Sequence, residues 1–508
     1  MFSVRSSGDS GSKAVVIAYD SRNMSLEFAT QAALCLAANG IKAYIFESLR
    51  STPELSFAVR KLGCIAGVNI TASHNPPEYN GYKVYWEDGA QITPPHDQGI
   101  MDEVSKIQDY RSVKTMSQEE AQKASLYQMV GQEMDDAYIQ TLKGLVLHQD
   151  AIDKAGKDIT IVYSPLHGAG NVPVRRILKE LGFDKVYVVP EQERPDGNFP
   201  TVSYPNPESE EVFRLGLKLA NEVDADVVLA TDPDADRLDV YVKDEQSGSY
   251  RFLTGNMSGC LLADYQIGQR KALMGLPEDG YLIKTIVTSN LADAIAKGHG
   301  VGLLEVLTGF KYIGQRILEF EATGKGQYLF GLEESYGCLI GTYARDKDAV
   351  SASMALCEAA AYYKTKDKTL WDAMMDIYDT YGYYKDDVVA ITLEGIEGLQ
   401  KIQTILGALR ENVPVRIGEY QVMAYRDYQT GIIKDVRTGE ESATGLPISD
   451  VLYYELSDDA WFCVRPSGTE PKVKFYYGVR GDSLKQAEQR AKSLGEQVLN
   501  TINSLISA

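Results

Sequence analysis

Ala225-Asp226-Val227-Val228-Leu229-Ala230-Thr231-Asp232-Pro233-Asp234-Ala235-Asp236-Arg237 is the stretch on which the fold turns. Its first half, ADVVLA, reads as a buried strand, and short continuous apolar runs of this kind belong in parallel sheets covered on both faces. Its second half sets carboxylates at i, i+2 and i+4 where that strand ends. In open parallel sheets, function collects in loops beyond the carboxyl ends of strands. Three carboxylates crowded there repel one another unless a cation sits among them; taken alone the motif also reads as a solvated acidic turn. An oxygen-only donor set selects a hard ion, magnesium or calcium. An EF-hand would place Gly and Glu where Arg237 and Lys243 stand, so that loop type is excluded.

Outward from this strand the same texture repeats. Ala14–Tyr19, Lys42–Phe46, a run near Ile65–Ile70, Ile159–Tyr163, Lys185–Val189, Tyr281–Val287 and Gln327–Phe330 read as strands. Leu26–Asn39, Val172–Leu181, Glu210–Ala220 and Ala292–Lys297 read as helices, with a polar helical stretch near 117–142. Strands alternating with helices mean βαβ units and mostly parallel sheets. From about Asp387 the pattern changes. Val388–Leu393, Val451–Leu456, Trp461–Val464 and Val473–Val479 read as strands, with helices near 397–410 and 483–504, which predicts a separate α+β domain. Boundaries are expected near 153, 272 and 385, with the domains packed around a shared cleft.

The 508 residues suffice for about three or four domains. A net charge of -20 speaks against non-specific binding of nucleic acid or anionic membranes. No run approaches the roughly 18 apolar residues of a membrane span, and Met1–Ser12 has no apolar signal-peptide core. The six cysteines are scattered without zinc-type spacing, and Cys35, Cys260 and Cys357 sit in apolar helical patterns. A reduced cytoplasmic setting is expected.

Other motifs carry chemistry. Thr71-Ala72-Ser73-His74-Asn75-Pro76 follows an apolar strand, where a serine is well placed as nucleophile or phosphate carrier; alone it also reads as a capped turn. Asn80-Gly81 makes a turn that returns Lys83 toward it, so His74 and Lys83 are the acid/base candidates. Arg465-Pro466-Ser467-Gly468-Thr469-Glu470-Pro471-Lys472 joins a guanidinium, two hydroxyls and a glycine into a phosphate cradle, or a turn with a salt bridge. Gly331-Leu332-Glu333-Glu334-Ser335-Tyr336-Gly337 offers acceptors for sugar hydroxyls, or is an exposed loop. Thr308-Gly309-Phe310-Lys311 and Arg345-Asp346-Lys347-Asp348 add cations that, taken alone, read as surface charge. A haloacid-dehalogenase-like phosphatase is a second reading of the acidic loop, but such enzymes usually carry it near the N-terminus with Thr or Val after it.

In combination and in this order, TASHNP at 71–76, TDPDADR at 231–237, GLEESYG at 331–337 and RPSGTEPK at 465–472 resemble the α-D-phosphohexomutase superfamily of phosphoglucomutases and phosphomannomutases. With LTGN at 253–256 and LTGFKYIG at 307–314, the chain is similar to the subgroup that also holds phosphopentomutases. The resemblance implies an α/β fold of three related domains with mixed sheets and a C-terminal α+β domain around a central cleft. It assigns 1–153 to the phosphoserine loop, 154–272 to the metal loop, 273–385 to the sugar-binding loop and 386–508 to phosphate binding.

The activity implied is interconversion of hexose 1- and 6-phosphates, glucose first, with mannose and pentose phosphates as alternatives. It needs magnesium and a sugar bisphosphate such as glucose 1,6-bisphosphate. Ser73, His74, Lys83 and Arg237 would be catalytic; Ser73, Asp232, Asp234 and Asp236 would hold the metal. Thr308, Gly309, Lys311, Glu333, Ser335, Lys347, Arg465, Ser467, Gly468 and Thr469 would bind the phosphosugar. The family opens with a glycine-rich, arginine-bearing strand and a helix ahead of Ala14. MFSVRSSGDSGSK does not reproduce them, so a shortened first domain with exposed apolar surface is expected, and with it the alternative of a binding protein that has lost turnover.

Overall fold

The computed structural model describes residues 13–393, 395–466 and 472–507. The expectation about the segment ahead of Ala14 falls largely on residues 1–12, outside the described residues.

The first sheet has the order β4-β3-β1-β2-β5, from β1 (Ala14–Tyr19), β2 (Lys42–Phe46), β3 (Ala66–Ile70), β4 (Tyr82–Trp86) and β5 (Tyr127–Val130). β1 is buried along its whole length and pairs in parallel with β2 and β3, as its uninterrupted apolar sequence requires. β4 runs antiparallel to β3, which makes the sheet mixed. The stretch read as helical near 117–142 is broken into helix Gln118–Lys123, strand β5 and helix Gln132–Lys143. Ser117 and Glu120 form a capping box that starts a short helix, and Ser125 at φ 57° turns the chain into the edge of the sheet beside β2. Polar composition hid a strand that needs only one apolar face.

The second sheet, β10-β9-β8-β6-β7, uses β6 (Thr160–Ser164), β7 (Lys185–Val188), β8 (Val227–Thr231), β9 (Leu238–Asp244) and β10 (Ser249–Leu253). Val162, Val212, Phe213 and Val228 lie in its buried core. β11 (Gly280–Thr285), β12 (Gly302–Val306), β13 (Gln327–Glu333) and β14 (Gly337–Ile340) form a third sheet in the order β12-β11-β13-β14.

The C-terminal part is antiparallel. β15 (Tyr383–Thr392), β16 (Arg416–Ile417), β17 (Tyr420–Asp427), β18 (Ile432–Asp435), β19 (Glu441–Ala443), β20 (Leu452–Leu456), β21 (Trp461–Pro466) and β22 (Lys472–Gly481) follow the order β15-β22-β21-β20-β17-β18-β19, with β16 on β17. Helices Gly395–Glu411 and Leu484–Ser507 complete the expected α+β unit. Its core includes Leu406, Val422, Tyr454, Phe475 and Leu494.

The chain divides into two compact units. One takes the chain up to Lys284 with Val301–Leu304 and Gly309–Met374; the other takes Thr285–Gly300, Glu305–Thr308 and the chain from Met375. All six cysteines are free, and Cys35 is only half-buried. A groove of about 700 Å³ on helix Ser25–Ala38 is lined by Phe28, Ala32, Leu36, Ile41, Ile70 and Tyr82. No described helix is long and apolar enough to cross a membrane.

Candidate active site

β3 delivers the chain into the loop 71–81, and β4 brings it back. The antiparallel register sets Lys83 opposite Asn69, which is the return that Asn80-Gly81 predicts. Ser73 is buried in this loop at φ 52°, a left-handed conformation that costs a non-glycine residue about 1 kcal/mol or more. Its amide donates to Thr71 Oγ1 at 2.8 Å. Its hydroxyl donates to Asp232 Oδ2 at 2.8 Å and stands 3.2 Å from His74 Nδ1.

β8 ends at Thr231, and the acidic loop turns back into β9 through Ala235 at φ 53°. One carboxylate oxygen from each of Asp232, Asp234 and Asp236 lies within 4.8 Å of the others, and all three residues are buried. Asp232 Oδ1 accepts from the amides of Asp236 and Arg237, both at 3.1 Å. Asp234 Oδ2 accepts from Thr52 Oγ1 at 2.7 Å and Lys83 Nζ at 2.9 Å. Burial and the two neighbouring carboxylates push the Asp232 carboxyl well above its ordinary range. Burial acts on Asp234 too, but Lys83 and the Thr52 hydroxyl outweigh it and hold Asp234 ionised. Burial depresses the Lys83 ammonium, yet Asp234 and Asp236 win and raise it, so Lys83 is charged here.

Lys347 lies 3.0 Å from Asp236 and 3.6 Å from Glu333. Glu333 ends β13, and Ser335 donates to its Oε1 at 2.7 Å in the turn to β14. GLEESYG is therefore a hairpin with a buried glutamate rather than an exposed loop. The stretch Arg345–Asp348 is buried, not surface charge. Arg237 donates to Glu208 Oε1 at 3.0 Å and lies 3.8 Å from Asp236. Burial opposes its charge, but Glu208 and Asp236 more than compensate.

Ser73, His74, Lys83, the three aspartates, Arg237, Glu333, Ser335 and Lys347 thus come together. Gly309, at φ 117°, precedes helix Phe310–Thr323, where the Lys311 ammonium lies 5.4 Å from the Tyr312 ring. Thr308 and Arg465 belong to the second unit, Arg465 on β21 opposite Lys474. Ser467, Gly468 and Thr469 lie outside the described residues.

Sequence reasoning missed Thr52, Asp20, Arg22, Glu208 and Asp346. Thr52 opens helix Thr52–Lys61, capped by Ser51 with Pro53 in the first turn, and its amide also donates to the Asp234 carbonyl. Ser-Thr-Pro is a helix-start signal, and only the structure shows that this start faces the acidic loop. Asp346 accepts from the Tyr85 hydroxyl at 3.0 Å and lies 3.5 Å from Lys347.

The donor set fits a hard cation. Asp234 Oδ1 and Asp236 Oδ1 are buried without a hydrogen-bond partner, which is costly unless an ion takes them. With the remaining oxygens of Asp232 and Ser73 they offer only oxygen ligands.

Residues 2–111, 136–247 and 254–381 match the α/β/α domains I, II and III of phosphoglucomutase/phosphomannomutase, and 431–494 match its C-terminal domain. The chain is 37% identical over 476 residues to a phosphoglucomutase of Staphylococcus epidermidis, covering 94% of this chain and 85% of that one. It is 35% identical over 495 residues to that of Staphylococcus saprophyticus, covering 97% and 86%. In fold it is similar to pp63/parafusin, a phosphoglucomutase of Paramecium, with a TM-score of 0.70 at 18% identity, covering 98% of this chain and 88% of that one. A phosphoglucomutase/phosphomannomutase family protein of Burkholderia thailandensis gives 0.66 at 19%, covering 99% and 92%. Three α/β/α domains with mixed sheets, an antiparallel C-terminal domain, and a serine facing three carboxylates define a mutase of the phosphohexomutase kind. The chain belongs to the phosphoglucomutase/phosphomannomutase family.

Proposed function

We propose that this mutase interconverts glucose 1-phosphate and glucose 6-phosphate through phosphorylated Ser73 and glucose 1,6-bisphosphate. The observation that supports this most is the Ser73 hydroxyl 2.8 Å from Asp232, at the edge of a buried carboxylate triad. Magnesium, held by Asp232, Asp234, Asp236 and the Ser73 oxygen, would supply charge neutralisation on the phosphoryl oxygens.

The rest falls to the chain's own groups. A sugar hydroxyl attacks phosphorus, the bond from phosphorus to Ser73 Oγ breaks, and Arg237 pairs with the transferring oxygens. Lys83 begins as an ammonium, gives a proton to the departing Oγ and regains one from the sugar hydroxyl. His74 orients Oγ. The bisphosphate turns over and returns its other phosphate to Ser73. Glu333 and Ser335 grip hydroxyls, while Lys347, Lys311, Thr308 and Gly309, with Arg465, Ser467, Gly468 and Thr469, hold the phosphate that does not react. Uncatalysed phosphate-monoester cleavage calls for up to about 10²¹-fold acceleration, so binding of that remote phosphate must serve positioning. Six free thiols agree with a cytoplasmic location.

The test is a coupled assay of glucose 1-phosphate to glucose 6-phosphate with magnesium and catalytic bisphosphate, beside Ser73→Ala. Turnover that vanishes in the variant is the expected result. Turnover retained in the variant, or stoichiometric release of inorganic phosphate, overturns the reading; activity only on mannose or pentose phosphates overturns the choice of sugar.

A further inference from the structure

The loop 71–81 has no regular hydrogen-bond ladder to shape it between β3 and β4, yet it must hold Ser73 at a positive φ facing Asp232. A single side chain accounts for much of its shape. Arg22 Nη2 donates to the carbonyls of Ser73 and Asn75 at 2.6 and 2.5 Å, and Nη1 to those of Pro76 and Tyr79 at 2.8 and 3.0 Å. Four carbonyls that would otherwise point anywhere converge on one planar fork.

The fork is itself fixed from two sides. Asp20, directly after β1, lies 3.3 Å from Arg22 Nε and accepts the Arg22 amide at 2.9 Å. Its other oxygen accepts from Thr71 Oγ1 at 2.6 Å, the same hydroxyl that receives the Ser73 amide. On the far side the guanidinium lies 5.1 Å from the ring centroid of Phe199, which is fully buried and comes from the second domain. Gly197 makes that approach feasible, since a Cβ there would stand 2.4 Å from the Asn23 amide nitrogen.

We propose that Arg22 is a positioning residue for phosphoryl transfer: clamped between Asp20 and Phe199, it gathers the carbonyls of residues 73–79 and so aims Ser73 Oγ at the acidic loop. The proposal rests on the reading of Ser73 as phosphate carrier. Arg22 does not touch the phosphosugar in this scheme; it acts through the serine. A displacement of about 1 Å at a reacting atom can cost about 100-fold in rate, and a lysine keeps the charge but cannot span four carbonyls.

The experiment uses the full chain as wild type, Arg22→Lys and Phe199→Leu. It measures the rate at which glucose 1,6-bisphosphate phosphorylates Ser73, by intact mass and phosphopeptide mapping, then kcat, KM and thermal midpoint. For Arg22→Lys the expected result is a fall of about tenfold or more in both the phosphorylation rate and kcat, with KM for the hexose phosphate within about threefold. Phe199→Leu, which leaves every loop hydrogen bond in place, should lower the same two rates by less; it decides the matter if Arg22→Lys does not fold. A lower thermal midpoint with both rates unchanged, or a change confined to KM, overturns the positioning role. Wild-type protein that is never phosphorylated on Ser73 overturns the carrier reading instead, so the two failures are told apart.

Discussion

At the scale of single residues, the site is governed by how burial divides charge among carboxylates that sequence alone makes equivalent. Asp234 is held ionised by Lys83 and Thr52, while burial and its neighbours drive Asp232 toward its neutral form. A divalent ion entering the triad therefore competes with a proton on Asp232, and its affinity should go on rising with pH above the ordinary carboxylate range. Calorimetric titration with magnesium in buffers of different ionisation enthalpy should show the release of that proton; no proton release and a flat pH profile would mean Asp232 is already ionised. Asp236→Asn should weaken magnesium by about tenfold or more, because affinity follows the charge count of the ligands. Asp20 gives a second pH signature. Burial first, against the opposing pull of Arg22, raises it to about 6. A carboxyl raised in the folded state binds its proton more tightly there, so its ionised form costs stability at neutral pH. That cost is relieved as pH falls through about 6 and is gone below the unfolded value near 4. Between pH 7 and 4 the first compact unit of the wild type should gain up to about 3 kcal/mol relative to Asp20→Asn, read from the urea transition of that unit at each pH. A constant difference between the two proteins would show that Asp20 titrates normally.

At the scale of elements, close backbone approaches place the side chains just described. Helix Gly255–Met274 begins against the turn of the β13–β14 hairpin, and a Cβ on Gly255 would lie 2.2 Å from the Glu334 carbonyl oxygen and 2.7 Å from the Tyr336 amide nitrogen. Neither atom can yield without moving the hairpin that carries Glu333 and Ser335. Gly255→Ala should cost about 1–3 kcal/mol and lower kcat/KM for the hexose phosphate more than it lowers the rate of Ser73 phosphorylation. Equal loss in both would mean that the hairpin does not handle the sugar. Elements with strong internal signals were legible in the sequence: β1 and β2 are found at the limits their apolar runs predict, and Ser73 and the acidic loop lie at strand ends as expected. β5 was hidden because an edge strand buries one face only, β17 because its burial alternates along the strand, and β18 and β19 because they are only four and three residues long. Arg22, Asp20 and Thr52 were hidden for another reason. Their roles arise from chain segments far apart in sequence, such as Thr52 and Asp234, and no local pattern encodes such a pairing. Arg345–Asp348 misled in the opposite sense, since four adjacent charges read as surface until Asp236, Tyr85 and Tyr138 supply buried partners and Glu321 an exposed one.

At the scale of the molecule, the division into two compact units means that stability is not one number. A chain of this length with several domains is not expected to unfold in a single two-state step. Every candidate cation ligand, Ser73 with Asp232, Asp234 and Asp236, lies in the first unit, as do Thr52, Lys83 and Lys347, which hold those ligands in place. A ligand that binds only the folded form stabilises it by mass action, about 2.7 kcal/mol at a hundred times its dissociation constant. Magnesium added without sugar should therefore act on one unit and leave the other as it was. Hydrogen exchange followed by peptide mass spectrometry separates the two, because β1 to β10 and β15 to β22 fall in different peptides. The expected pattern is slower exchange around 50–54, 71–83 and 231–239, extending into the first two sheets, with unchanged exchange from β15 to β22. Unchanged exchange everywhere would deny the triad its role as a cation site. Equal slowing in both units would mean that the cation is sensed across the whole chain, and the triad would then be a control point for the second unit as well as a site of chemistry in the first.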